Sequence, residues 1–145
     1  MAEQQLCYED VEVGEMIPPL VKHPTKRQLV QWAVATGDLY EIHYDKDFAL
    51  AAGLPGVIVQ GRLKAAFLAQ FLIDRLGRDG RLKRWECSYR GLDTPDQALT
   101  CSGKVAKKYI AADEHCLELE VWIENAKGEH TTVGRAVAVV PSKVD

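Results

Sequence analysis

The feature that most constrains the fold is one long apolar segment, after which the chain is strand-like throughout. Between Arg62 and Leu76 apolar side chains are so dense that a helix there has almost no polar face. A helix of that kind is normally enclosed by the protein rather than laid on its surface. Gly77 and the Asp79-Gly80 pair mark its end. The pattern therefore predicts a sheet that wraps around a single helix.

Four segments after that helix are predicted to be strands: residues 82–90, 98–109, 116–125 and 131–140. In the third, apolar side chains alternate with glutamates and one tryptophan, which gives a dry face and a wet face. The dry positions are Leu117, Leu119, Val121 and Ile123. Asn125 to Gly128 is typical of a hairpin connection between the last two strands.

The chain before residue 61 is predicted to form an edge strand and two helices. The apolar run at 16–21 contains Pro18-Pro19, which a central strand would not tolerate. Thr25 is a plausible N-cap, with Gln28 completing a capping box, for a helix that ends at Gly37. Its buried stripe is expected to include Leu29, Val30, Trp32 and Ala33. Asp45 looks like the N-cap of a short second helix that ends at Gly53.

Length and composition bound the class of protein. A chain of 145 residues with 47% hydrophobic and 27% charged residues fits one globular domain over residues 1–145. The net charge of −3, from 18 basic and 21 acidic residues, gives no support to nucleic-acid binding. Apolar runs fall far below the ~20 residues of a membrane span, and acidic residues interrupt any N-terminal signal peptide. We therefore expect neither a nucleic-acid nor a membrane partner.

The four cysteines are scattered without Cys-x-x-Cys spacing. Cys87, Cys101 and Cys116 fall in predicted strands, where a buried free thiol is the expected state. Free thiols fit a reducing cytoplasm. No cysteine or histidine pair has the spacing of zinc ligands, so we expect no metal site.

The residues that carry chemistry lie between Gly37 and Gly61. Asp38 and His43 are five residues apart in a polar stretch, and Gly61 falls at or near the start of the apolar helix. Helix starts offer unpaired N–H donors and a partial positive charge. These donors could hold a developing oxyanion while the acid and the imidazole handle a proton or a water. From spacing alone, Asp38 and His43 fit equally well as loop side chains that bond to backbone.

The segment GDLYEIHYD, followed by AAGLPGVIVQG, resembles the motif of the MaoC-like acyl dehydratases, also called (R)-specific enoyl-CoA hydratases. That motif runs Gly-Asp-x-Asn-Pro-x-His-x-Asp and then, after a short helix, a run ending in His-Gly. The similarity is strongest over residues 30–75. It implies an α+β hot-dog fold, in which a curved antiparallel sheet is wrapped around one long central helix.

The resemblance also implies roles for individual residues. Asp38 and His43 would be the catalytic pair that grips a water, and the Gly61 N–H would polarise the thioester carbonyl. Tyr40 and Gln60 would contact substrate, and they depart from the family pattern of Asn and His at these positions.

A third departure is Glu41, which stands where the family has Pro. The implied reaction is reversible syn addition of water to a trans-2-enoyl-CoA. Coenzyme A enters as the thioester substrate, and no separate cofactor is implied. One alternative is a non-catalytic or half-site acyl-CoA-binding subunit of a heteromeric dehydratase. A hot-dog thioesterase is a further alternative, but it would place a carboxylate on or near the central helix, where residues 61–70 have none.

A dimer is expected, as a homodimer or as a heterodimer with a second hot-dog chain. The aromatic side chains of Trp85, Tyr89 and Trp122 are predicted to lie on sheet faces away from the core, where they would form a partner surface. The CoA phosphates are expected to meet basic side chains, with Arg84, Arg90, Lys107 and Lys108 as candidates.

Overall fold

The computed structural model describes residues 5–144. Its helices are α1 (Lys26–Thr36), α2 (Lys46–Ala51) and α3 (Gly61–Leu76). Its strands are β1 (Met16–Lys22), β2 (Arg81–Tyr89), β3 (Leu99–Ala111), β4 (Glu114–Glu124) and β5 (His130–Val139). Two short 3₁₀ turns cover Tyr8–Asp10 and Glu41–His43.

The five strands form one antiparallel sheet in the order β1-β3-β4-β5-β2. Helix α3 contacts every strand of this sheet and supplies the centre of the apolar core. The result is the predicted hot-dog fold. Strand β1, which contains Pro18 and Pro19, lies at one edge as predicted, and β2 lies at the other.

Helix α3 is less enclosed than its composition predicted. Its core-facing stripe follows the three-and-four spacing of a helix face and consists of Leu63, Lys64, Phe67, Leu68, Phe71, Leu72 and Leu76. The opposite side, with Gln70, Ile73 and Asp74, is exposed. The expectation of a fully surrounded helix is therefore wrong, because the sheet covers one side only. Within residues 5–144, no helix combines the length and apolarity needed to cross a bilayer.

The predicted helix caps are present. Thr25 Oγ1 accepts a hydrogen bond from the Gln28 backbone N–H at 3.1 Å, and Asp45 Oδ1 accepts one from the Phe48 N–H at 3.0 Å. Helix α1 ends at Gly37, which has the left-handed φ of 72° that glycine adopts without strain. Val30 was expected in the buried stripe of α1 but is exposed.

Trp85 faces the core rather than a partner, contrary to the prediction from alternation. The β2–β5 register shifts between Leu82 and Arg84, so a bulge interrupts the alternation there. Leu82, Trp85 and Cys87 consequently all pack against the core. Trp122 stacks on the His130 ring at a centroid distance of 5.2 Å, and Tyr89 is half exposed.

The burial of Cys101 in β3 gives a chemical test of this fold. Cys101 is fully buried, and burial raises the pKa of its thiol to about 12. Because the thiolate is the reactive form, we expect iodoacetamide at pH 8 to leave Cys101 unmodified in the native protein and to modify it after unfolding in guanidinium. Peptide mass spectrometry measures both, with the half-buried Cys7 as the internal control. Equal native-state labelling of the two cysteines would contradict the fold.

Candidate active site

Asp38 and His43 lie together, as the motif predicted. Asp38 directly follows the Gly37 cap of α1, and His43 lies in the 3₁₀ turn Glu41–His43. The His43 Nε2 and Asp38 Oδ2 atoms are 3.9 Å apart. His43 is 8% exposed and Asp38 is half-buried. The two side chains therefore form an acid and imidazole pair that opens toward solvent on the Asp38 side.

The backbone sets the tautomer of His43. Its Nδ1 atom is 2.8 Å from the carbonyl oxygen of Ile58. A carbonyl oxygen only accepts hydrogen bonds, so Nδ1 carries the proton and Nε2 of the neutral ring has a free lone pair. The 3.9 Å separation from Asp38 exceeds a hydrogen bond. Two acceptors at this spacing can share one water, which donates one O–H to each.

Side chains of the loop itself brace this pair. The Tyr44 hydroxyl donates to the Leu39 carbonyl at 2.9 Å, next to Asp38. The Tyr40 ring meets the His43 ring edge-on, with centroids 6.3 Å apart, and it meets Phe48 in the same way at 6.0 Å. Tyr40 is 53% exposed, so much of its surface remains free beside the imidazole.

Gly61 is the first residue of α3. The Gln60 cap position contributes no side-chain hydrogen bond from within the described chain, so the first N–H groups of the helix keep their donor capacity. A Cβ at position 61 would lie 2.9 to 3.1 Å from three ring carbons of Tyr89. The Tyr89 ring therefore leaves little room for a side chain at position 61 and would have to shift to admit one, whatever the role of Gly61 toward substrate.

Gln60 points into the protein. It is 0% exposed, and its Nε2 donates to the Leu29 carbonyl at 2.8 Å, which ties the start of α3 to α1. Its Oε1 has no hydrogen-bond partner among residues 5–144. In this arrangement Gln60 braces the helix start, and a contact with substrate stays a prediction.

One short segment, residues 57–60, connects the pair to Gly61. Ile58 donates its N–H to the Ile42 carbonyl at 3.1 Å and accepts from His43 through its own carbonyl. Gly61 follows three residues later, so its Cα lies within about 11 Å of that of Ile58, given ~3.8 Å per residue. The imidazole and the helix start thus share one short piece of backbone.

A cleft of about 370 Å³ opens on His43. It is lined by Lys26, Val30, His43, Tyr44, Lys46, Pro55, Gly56, Val57, Thr94, Pro95 and Asp96. Among the described residues this lining includes neither Asp38 nor Gly61. Sequence reasoning missed Lys26 and Lys46, because lysines at helix starts resemble ordinary surface residues.

Two of the four basic residues expected to meet the CoA phosphates have partners within the chain, and phosphate binding by any of the four stays a prediction. Lys108 Nζ donates to the Val11 carbonyl and lies over the Tyr8 ring, and Arg84 pairs with Glu86. The part of the chain that the structure describes holds no group of three or more His, Cys, Asp or Glu residues that could ligate a metal.

The comparisons with known proteins agree with this architecture. The beta subunit of 3-oxo-4,17-pregnadiene-20-carboxyl-CoA hydratase from Mycobacterium tuberculosis is 26% identical over 124 residues, which cover 83% of this chain and 90% of that protein. The fatty acid synthase beta subunit TOXC of Cochliobolus carbonum is 33% identical over 116 residues, or 78% of this chain, but the match spans only 5% of its length.

A solved structure with a similar fold is R-hydratase PhaJ1 from Pseudomonas aeruginosa. It has a TM-score of 0.85 and 18% identity, and the match covers 96% of this chain and 88% of that one. The family model of the MaoC like domain matches residues 13–126, a segment that includes Asp38, His43 and Gly61. The chain therefore belongs to the MaoC-like dehydratase family.

Proposed function

We propose that this protein is an (R)-specific enoyl-CoA hydratase, or 3-hydroxyacyl-thioester dehydratase. It would add water reversibly and in syn fashion to a trans-2-enoyl-CoA, giving an (R)-3-hydroxyacyl-CoA. The observation that carries the proposal is the pairing of Asp38 with a His43 whose Nε2 lone pair is free and lies 3.9 Å from the carboxylate.

This pair supplies the activation that water needs. Water attacks an alkene poorly unless a base takes its proton as the new bond forms. A water that donates one hydrogen to Asp38 and one to His43 Nε2 directs its lone pairs at the substrate. As the C3–O bond forms, an O–H bond breaks and its proton passes to the pair. One proton returns to C2, so the net change is addition of one water.

The Gly61 N–H supplies stabilisation of the charge that develops. Attack at C3 moves electron density through C2 to the thioester oxygen, which becomes an enolate oxygen. An uncapped helix start offers N–H donors and the positive end of the helix dipole to that oxygen. Preorganised donors of this kind contribute strongly to the rate enhancement of many enzymes. The thioester is the substrate, and the proposed chemistry uses no other cofactor.

A half-site role in a heteromeric dehydratase is the second candidate. A relative bears the name of a hydratase beta subunit, and Tyr40, Glu41 and Gln60 depart from the family motif. Because the chain retains both Asp38 and His43, a catalytic subunit is favoured over a non-catalytic one. The thioesterase alternative has less support, since the acid on α3 is Asp74 in its last turns, exposed and far from Gly61.

We further propose that the chain works as a dimer formed through β2. In β1, Pro18 and Pro19 lack the N–H groups that a further strand would need. Strand β2 pairs with β5 on one side, and its other side has no strand partner within residues 5–144. An open edge of nine residues is a ready surface for a second chain. Tyr89, which lies against Gly61, would then be near the interface.

The catalytic pair is tested by Asp38→Asn and His43→Ala. Each is expected to lower the hydration rate by two or more orders of magnitude, because general acid–base groups contribute about 10² to 10⁴. Loss of absorbance of the conjugated thioester measures the rate with crotonyl-CoA and longer 2-enoyl-CoAs. Glu41→Gln, which changes a neighbouring exposed charge in the same loop, is the matched control. Wild-type rates in a folded Asp38→Asn or His43→Ala variant would remove the catalytic assignment.

The Gly61 donor is tested together with Tyr89. Gly61→Ala is expected to lower kcat about 10²-fold, as loss of one oxyanion donor does in other enzymes. The added methyl group also meets the Tyr89 ring, so the double variant Gly61→Ala/Tyr89→Ala separates the two effects. If the methyl group keeps the carbonyl from the N–H, the double variant stays slow relative to Tyr89→Ala alone. Full recovery would mean that the glycine serves only to accommodate the ring.

Assembly is tested by light scattering of the purified chain. We expect a species of twice the 16.2 kDa chain mass at micromolar concentration. Replacing Trp85, which packs inward, tests nothing at the edge. The Arg90 N–H donates to the Thr131 carbonyl of β5. By alternation along β2, the Ser88 N–H therefore also faces β5 and the Cys87 N–H faces the open edge. The informative substitution is therefore Cys87→Pro, which removes an N–H from that edge. A wild-type monomer would contradict the homodimer and leave the heterodimer, which mixing with a second hot-dog chain then tests.

A further inference from the structure

A buried ion pair lies beside the start of α3. Lys64 is 2% exposed and Asp93 is 4% exposed, and the Lys64 Nζ and Asp93 Oδ2 atoms are 2.9 Å apart. Lys64 also donates to the Gly91 carbonyl at 2.9 Å, and the Thr131 hydroxyl donates to Asp93 Oδ2 at 2.6 Å. The pair therefore joins helix α3, the loop between β2 and β3, and strand β5.

Stability alone does not account for such a pair. Removing two charges from water costs free energy that their attraction recovers only in part, and apolar replacements are often as stable or more stable. A buried ion pair whose polar atoms are all hydrogen-bonded does fix local geometry, because its hydrogen bonds hold atoms in set positions relative to one another. The question is then which atoms the Lys64–Asp93 pair fixes.

Asp93 holds the chain on both sides of Gly61. Its carboxylate binds Lys64, which lies three residues after Gly61 in the first turn of α3. Its backbone carbonyl accepts the Val59 N–H at 2.8 Å, two residues before Gly61. A single residue thus anchors both the segment that leads into the helix and the helix turn itself.

The same anchor reaches His43. Val59 follows Ile58, whose carbonyl accepts the Nδ1 proton of His43. Beyond Asp93, the loop continues through Thr94, Pro95 and Asp96, which line the cleft on His43. The positions of the Gly61 N–H, the imidazole and one wall of the cleft therefore all depend on where Asp93 lies.

We propose that Lys64 and Asp93 are positioning residues that set the Gly61 N–H relative to His43 Nε2. With this spacing fixed, one substrate can present its thioester oxygen to Gly61 while its C3 meets the water held at His43. The inference rests on the proposed function. It predicts an effect on turnover rather than on substrate affinity, since the two side chains are buried and act through the backbone around Gly61.

The test is the double variant Lys64→Met/Asp93→Asn, which removes both charges and leaves neither buried alone. The amide oxygen that replaces the carboxylate can still accept from Thr131. The matched control is Lys104→Met/Glu120→Gln, which removes an exposed pair from β3 and β4. Thr131→Val, which deletes one hydroxyl of the same anchor with little change in volume, serves if the double variant does not fold.

Two readouts are measured beside thermal stability. One is kcat and KM with a 2-enoyl-CoA. The other is the infrared frequency of a ¹³C-labelled thioester carbonyl in bound hexanoyl-CoA, which cannot be hydrated and reports how strongly the N–H polarises the carbonyl. In the wild type and the control, we expect the carbonyl frequency of bound hexanoyl-CoA to be lower than that of the free thioester. The Lys64/Asp93 variant is expected to lose most of that shift and about 10²-fold in kcat, the size of effect that a ~1 Å misplacement produces, with KM within a few-fold.

The outcomes separate the two proposals. A Lys64/Asp93 variant that loses only thermal stability, with kcat and the carbonyl shift unchanged, overturns the positioning role. A wild type that hydrates enoyl-CoA without shifting the carbonyl frequency also overturns the positioning role, although the proposed function then stands. A wild type that shifts the carbonyl but hydrates nothing, with the shift lost in the variant, supports the positioning role and removes the hydratase assignment.

Discussion

The packing of the α3 stripe against the inner face of the sheet is the constraint on which the rest of the structure depends. Burial of a side chain such as Leu63, Phe67 or Phe71 stabilises the fold by roughly 1.5–3 kcal/mol. Because these residues recur at helical spacing, they also fix how α3 is rotated about its axis. The direction in which the first turn at Gly61 faces is therefore decided by apolar contacts along the whole helix.

Polar contacts then refine what the apolar stripe sets approximately. Apolar packing tolerates small sliding movements, whereas a hydrogen bond weakens steeply once its atoms leave their geometry. At the Gly61 end of α3 the interior contains Gln60, Lys64 and Asp93, each bonded to a different part of the chain. Apolar packing therefore places the helix as a whole, and the hydrogen bonds place its first turn.

Sequence reasoning succeeded where the determining interactions are local. The Thr25 and Asp45 caps bond to backbone three residues away, and the alternation in β4 reflects the environment of that strand alone. Asp38 and His43 are five positions apart in one loop, so spacing and motif were enough to predict that they lie close together. The catalytic roles of these two residues remain predictions of the family motif.

The failures came from non-local features. The orientation of Trp85 depends on a bulge that exists only because β2 pairs with β5. Lys64 was overlooked because a lone lysine in an apolar helix carries no signal of its own, and its partner Asp93 lies 29 residues further on in a loop. Helix α3 was expected to be enclosed because composition shows how apolar a helix is but not how much of it the sheet covers, and Ile73 on its outer side is exposed.

The two edges of the sheet differ in their capacity to pair with a further strand, and this difference bears on how many chains could join through the sheet. A sheet with two receptive edges can add chains without end, which is how edge-to-edge association leads to fibres. In this sheet β1 is interrupted by Pro18 and Pro19 and by an irregularity between Ile17 and Leu20. Under the proposed pairing through β2, a second chain of the same kind would use up its own receptive edge. Association through the sheet would then end at two chains, and neither chain would offer a further receptive edge within residues 5–144 from which a filament could grow.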